Sequence, residues 1–175
     1  MTAKTSKAIV RTPADLTTSE AAALATAAAK LRIPSDWLFG LIKTESAWKP
    51  DAKNPNGSAR GLIQWVDSTA KALGYSSALA LVQANPTREA QLLGPVVAYL
   101  SKWMPIESPA ALAAVNFYPA NRNKLDALLP DAVQKANPGI RTVRDYFDKY
   151  MRKNVPGLVA AGGSAVLVLG IAAFF

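Results

Sequence analysis

Apolar residues in this chain recur at helical spacing between proline-led turns, and alternating strand-like patterns are scarce. That restricts the chain to a mainly α fold. Thr17-Thr18-Ser19-Glu20 has the spacing of a capping box before an alanine-rich run ending near Leu31. Ser35 is placed to cap a helix over 36–46. Residues 49–60 hold two prolines, two asparagines and a glycine, and read as loop. Asp67, read as an N-cap, or Ser68 opens a short helix that stops at Gly74. Pro86-Thr87 opens a longer one toward Trp103, and Ser108-Pro109 pairs an N-cap with proline at the first helical position. A last helix is expected over about 141–152. Residues 1–15 lack any periodic pattern and read as a flexible arm, which leaves 16–153 as one domain of ordinary size.

The apolar residues are unevenly spread. Residues 157–175 carry no charge, and Ser164 is their only polar side chain. At ~1.5 Å per residue a helix of that length reaches about 28 Å, close to the hydrocarbon thickness of a bilayer. The segment is therefore predicted to be a C-terminal transmembrane helix, with Pro156 at the junction and the lipid bilayer as a partner. Lys149, Arg152 and Lys153 precede it and no charge follows, a bias that holds a soluble domain on the cytoplasmic side of a cell membrane. Residues 1–14 show no apolar run of the secretory kind.

Two residue types are missing altogether. With no histidine and no cysteine, thiol and Ser-His chemistry, disulfides and the usual zinc ligand sets are excluded. Carboxylates are the remaining acid-base groups that titrate at moderate pH. No ligand cluster suggests a metal, and no cofactor is implied. The net charge of +8 suits a polyanionic partner. The basic residues are scattered, however, without the aromatic interleaving of single-strand binding surfaces, so nucleic acid is not expected.

One carboxylate stands out. Leu38, Leu41, Ile42 and Glu45 fall at i, i+3, i+4 and i+7, so Glu45 continues the stripe that faces the core. Poor hydration there disfavours its charged form, and the negative end of the helix dipole acts in the same direction. A neutral acid at moderate pH is what a glycosidic proton donor requires. A glutamate with its head turned outward fits the pattern equally. Fifteen residues or so later, Gly57 and Gly61 flank Ser58-Ala59-Arg60, and Gly61 leads into Leu62-Ile63-Gln64-Trp65. Glycines let a backbone turn sharply and lie close to a ligand.

Together, Glu45-Ser46 and Asn56-Gly57-Ser58-Ala59-Arg60-Gly61-Leu62-Ile63-Gln64 resemble the soluble lytic transglycosylase domain, the lysozyme-like glycoside hydrolase family 23. Pro34-x-x-Trp37-Leu38, Ser68-Thr69-Ala70 and Tyr99-Leu100 fit the same pattern, and the similarity spans roughly residues 21–138. The resemblance implies a lysozyme-like α-helical domain that binds peptidoglycan glycan strands. It implies Glu45 as catalytic acid and Ser46, Gly61, Leu62, Ile63, Gln64, Asn116 and Tyr118 as substrate contacts. The family's Ala-Tyr-Asn aligns with Ala114-Val115-Asn116, where valine supplies no hydroxyl; either Tyr118 replaces it from the next turn or the contact is absent.

On that resemblance, Glu45 would protonate the bond between N-acetylmuramic acid and N-acetylglucosamine. It would then take the proton of the C6 hydroxyl as a 1,6-anhydro ring closes. A hydrolase using Asp51 or Asp67 as base is the nearest alternative, and an inactive membrane-anchored wall-binding or structural virion protein is another. The predicted tail and a wall-cutting domain make conflicting demands on topology. A bacteriophage particle with an internal membrane reconciles them, with the enzyme opening the host wall locally for genome delivery. Release late in infection is the other arrangement. Oligomeric state is left open.

Overall fold

The structure, a computed structural model, describes residues 13–156 and residue 158. Thr17 caps the first helix as its spacing predicts. The Glu20 N–H donates to Thr17 Oγ1 at 3.2 Å and the Thr17 N–H donates to Glu20 Oε2 at 2.9 Å, closing both halves of the box. Helix α1 then runs Thr18–Leu31 and α2 runs Ser35–Ser46. Ser35 is the first helical residue and not the cap; Pro34 holds the N-cap position without a side-chain bond. The helices that follow are α3 Asp67–Ala72, α4 Ala78–Ala84, α5 Arg88–Gln91, α6 Val97–Leu100, α7 Pro109–Phe117, α8 Asp131–Ala136 and α9 Val143–Tyr146. Among the described residues no strand forms, and Lys53 with Arg60 and Arg60 with Trp65 make only isolated bridges. The mainly α, lysozyme-like expectation agrees with this architecture.

Thr87 caps α5, and the helical path does continue to Trp103, but it changes pitch on the way. Pro95 has no N–H and its ring would collide with the carbonyl four residues back, so the helix widens to a π turn over Leu92–Val96. A second π turn, Phe147–Met151, extends α9 into a 3-10 turn at Arg152–Asn154. Ser108 caps α7 by accepting from the Ala111 N–H at 3.0 Å, with Pro109 next to it.

Helix α2 is the centre of the molecule. Leu38, Phe39, Gly40, Leu41 and Ile42 are all buried, so the helix is enclosed on more sides than one stripe would require. It packs against α1, α7 and the turns after α9. The last contact is close. A Cβ on Gly40 would come within 2.6 Å of Val155 Cγ2, and Asn154 Nδ2 donates to Thr44 Oγ1 at 2.9 Å. The residues just ahead of position 157 are thus seated on α2.

The span predicted over 157–175 lies, Leu158 apart, outside the described residues, among which no helix is long and apolar enough to cross a membrane. The expected arm over 1–15 is described only at Pro13–Asp15, one turn of 3-10 helix.

Candidate active site

Glu45 sits in the last turn of α2, just before the helix ends on two consecutive left-handed residues, Ala47 at φ 50° and Trp48 at φ 66°. Neither is glycine, and each such residue costs roughly 1–2 kcal/mol. The surroundings hold them in place. Trp48 is fully buried against Phe39, with ring centroids 5.2 Å apart, and its carbonyl accepts from Arg88 Nε at 2.6 Å. Arg88 in turn meets the buried Glu20 carboxylate at 2.7 Å. A single arginine therefore ties the start of α1 to the exit of the helix that carries Glu45.

The Glu45 carboxyl lies in dense protein although the residue stays half-buried and keeps some open surface. Burial pushes its pKa from the ordinary 4.5 up to about 7, against two hydrogen-bonding side chains that favour the charged form. The first is Tyr146, whose hydroxyl donates to Glu45 Oε1. The second is Asn116, whose amide approaches the same carboxyl. Tyr146 is itself buried, and burial with the neighbouring carboxylate raises its pKa well above 10, so it stays a donor. Its ring is clamped flat on Phe117 at 4.3 Å and 4° between planes. Glu45 is thus an acid that can hold its proton near neutral pH, oriented from two directions.

The glycine-led turn shares a small hollow with Asn116, the second partner of this acid. Gly61 has φ +76°, and a Cβ there would come within 2.7–2.9 Å of Gln91 Oε1, Trp65 Cδ1 and Val82 Cγ2. Gln64 is also left-handed at φ 56°, and its own Nε2 donates to the Gly61 carbonyl at 3.1 Å, closing the turn. The fully buried Gln91 reaches across from α5. It accepts from the Leu62 N–H at 2.9 Å and donates to the Pro50 and Asn85 carbonyls at 2.7 and 3.1 Å. One amide thereby joins two points of the loop after α2 to the loop after α4, which satisfies groups that would otherwise be buried without partners.

The side chains singled out by sequence divide accordingly. Asn116 joins Glu45, and Ile63, Gln64 and Asn116 line one small hollow together with Thr69 and Tyr99. Leu62 is fully buried in the core, with its N–H taken by Gln91, so it offers the solvent side nothing. The buried Ser46 hydroxyl donates to the Ile42 carbonyl of its own helix at 3.0 Å. Tyr118 follows the end of α7 and packs on the core; the hydroxyl that reaches Glu45 belongs to Tyr146. Val143, Tyr146, Phe147 and Tyr150 form an i, i+3, i+4, i+7 stripe, and nothing in that pattern marks one aromatic apart from core packing. Of the tryptophans, Trp48 and Trp65 are core, whereas Trp103 lines open space.

Asp67 does not act as an N-cap. That position falls to Val66, and Asp67 Oδ1 accepts from the Ala78 N–H at 2.8 Å, holding the loop to α4. Asp51 is exposed in the loop after α2. Among the described residues no group of acidic side chains is suited to a metal ion.

Three hollows share lining residues in series, beginning at Asn116, the partner of Glu45. The one at Asn116, of about 30 Å³, shares Thr69 and Tyr99 with a second of about 320 Å³, which shares Lys102 and Trp103 with a third of about 520 Å³. The largest of the three is therefore the third and not the one beside the acid's partner.

Comparison with curated proteins and with solved structures gives no significant match. The family model of the transglycosylase SLT domain matches residues 22–95, which include Glu45, Ser46 and the turn from Gly61 to Gln64, while Asn116, Tyr118 and Tyr146 lie beyond it. With the helical architecture, that match supports a lysozyme-like domain of the lytic transglycosylase kind, with peptidoglycan as its substrate class.

Proposed function

We propose that this chain is a peptidoglycan lytic transglycosylase in which Glu45 is the catalytic residue. The observation that carries the reading is the half-buried Glu45, its carboxyl pKa raised to about 7 and held by Tyr146 and Asn116. Protonated, Glu45 delivers its proton to the glycosidic oxygen between N-acetylmuramic acid and N-acetylglucosamine. The carboxylate left behind is stabilised by the Tyr146 hydroxyl and the Asn116 amide as the oxocarbenium-like centre forms. It then takes the proton of the C6 hydroxyl, whose oxygen bonds C1 and closes the 1,6-anhydro ring. The acid is regenerated, and no water is consumed.

A two-carboxylate hydrolase needs a base on the other side of the sugar. Asp67 is engaged by the Ala78 N–H and Asp51 faces solvent, which favours the single-carboxylate route. Tyr146 also supplies the hydroxyl that Val115 lacks, which favours turnover over an inactive wall-binding role. Ile63, Gln64 and Asn116 are assigned to the saccharide through the hollow they line. Mass spectrometry of digested wall is the test: 1,6-anhydro ends support the reading, and reducing ends would convert it to a muramidase.

The setting we propose is the internal membrane of a bacteriophage particle, with residues 157–175 as the anchor and wall opening at genome delivery as the task. It is supported by the uncharged tail and by Lys149, Arg152 and Lys153 before it. Absence of the protein from purified membrane-bearing particles would refute it.

A further inference from the structure

The third hollow differs chemically from the one at Asn116. About 520 Å³ in volume, it is lined by Trp103, Lys102, Arg122 and Glu107, with Met104 and Leu125 as its apolar part. A bare indole face is the usual platform for a pyranose, but this one is covered. The Arg122 guanidinium lies over the Trp103 ring, 5.2 Å from its centroid, and Tyr99 meets the same indole edge-to-face at 6.4 Å and 70°. Cation–π attraction holds the guanidinium at the ring, and its N–H donors remain the groups it can present. Lys102 stands beside it, with Nζ only 3.4 Å from the Ala72 carbonyl, a long contact that leaves its other donors available. Among the described residues neither Arg122 nor Lys102 is in an ion pair, and Glu107 adds one negative charge to the rim. The wall offers this space either more sugar or the short peptides that branch from its muramic acid residues. Two cations and one anion match a branch with several carboxylates and one free amine.

Resting on the peptidoglycan reading above, we infer that the Trp103–Arg122–Lys102 hollow is a subsite for the acidic peptide branch of the wall. Arg122 pairs with a peptide carboxylate in a planar, two-bond contact, Lys102 takes a second carboxylate, and Glu107 receives the amine. The hollow is open to solvent, so each contact is of the screened kind and the two cations act together. The hollows share Thr69 and Tyr99, then Lys102 and Trp103, in series from Asn116, so a strand in place at Glu45 that follows them brings its branch here.

The test uses the full chain, its Arg122→Ala/Lys102→Ala variant, and two wall substrates, one bearing its peptides and one stripped of them by an amidase. The double variant should lose about tenfold in kcat/KM on peptide-bearing strands, the effect of ~1.4 kcal/mol, and stay near the parent on stripped strands. Arg122→Lys, which keeps the charge and loses the fork, should fall between the two. Both substituted side chains, Arg122 and Lys102, are exposed, so unchanged melting curves are expected. An equal loss on both substrates would make this a saccharide subsite and overturn the inference, and so would no loss on either. In a second arm, free branch peptide of the wall is titrated into the Glu45→Gln chain while Trp fluorescence is followed. Saturable binding lost in the Arg122→Ala/Lys102→Ala background supports the subsite even if the parent cuts no wall, whereas no binding beside an active parent removes it and leaves the catalytic reading intact.

Discussion

Replacing Glu45 by glutamine should abolish wall cleavage and stabilise the protein in the same stroke. In the folded chain the carboxyl pKa stands at about 7, against an ordinary 4.5. The difference, 7 − 4.5 = 2.5 units, corresponds to about 3 kcal/mol at ~1.36 kcal/mol per unit. A raised folded-state pKa means that the folded protein holds this proton more tightly than the unfolded chain does. The associated stability is therefore complete below pH 4.5 and is lost as the pH climbs through about 7. Glutamine has no proton to lose, and its side-chain carbonyl can still accept from Tyr146. At pH 8 the variant should exceed its parent by up to about 3 kcal/mol, or about 8 °C in Tm for a domain of this size. At pH 4 the two should coincide. Melting curves followed by circular dichroism from pH 4 to pH 8, with zymograms at each pH, measure both effects. Superimposable stability profiles would refute the reasoning that Glu45 is a desolvated, neutral acid, and equal clearing of wall by both proteins would remove the enzyme.

Three further substitutions test the packing around the acid and the turn. Tyr146→Phe deletes the bond that favours the Glu45 carboxylate, so the pKa should rise further and the alkaline limb of the rate profile should move up by about one pH unit. A drop in turnover with an unmoved limb would mean that the tyrosine is only packing. Gly61→Ala and Gly74→Ala separate crowding from backbone strain: both glycines have positive φ, at +76° and +91°, but only at Gly61 would a Cβ meet other atoms. In urea titrations Gly74→Ala should cost about 1–2 kcal/mol and Gly61→Ala about 3 kcal/mol or more, and equal costs would contradict the packing described for the turn.

The parts of this protein that follow from short-range rules could be read directly from the sequence. The Thr17 box, the Ser108 cap and the core-facing register of Glu45 are local patterns, and the structure contains each of them. The two short helices α4 and α8 escaped notice, because six or seven residues give the periodicity too little room. Ser35 and Asp67 show how a good capping residue can be displaced by one position when the preceding residue already has extended backbone. What could not be read is whatever depends on distance along the chain. Tyr146 meets Glu45 across 101 residues, Arg88 meets Glu20 across 68, and Gln91 reaches Leu62 across 29. Each is an ordinary polar or aromatic residue in its own helix, and only the folded arrangement gives it a partner. The Tyr146 hydroxyl on Glu45 was out of reach of the sequence for the same reason.

The fit of Val155 into the gap left by Gly40 sets where this molecule can be shortened. Ending the chain at residue 154 would uncover the waist of α2, about 7.5 Å from the acid at ~1.5 Å per residue, and leave Asn154 a frayed terminus instead of a brace on Thr44. A shortened chain for crystallisation or kinetics should keep Pro156. By the same token, Asn154 and Val155 brace the back of the helix that carries Glu45, so a heavy fusion partner belongs at the opposite end of the chain.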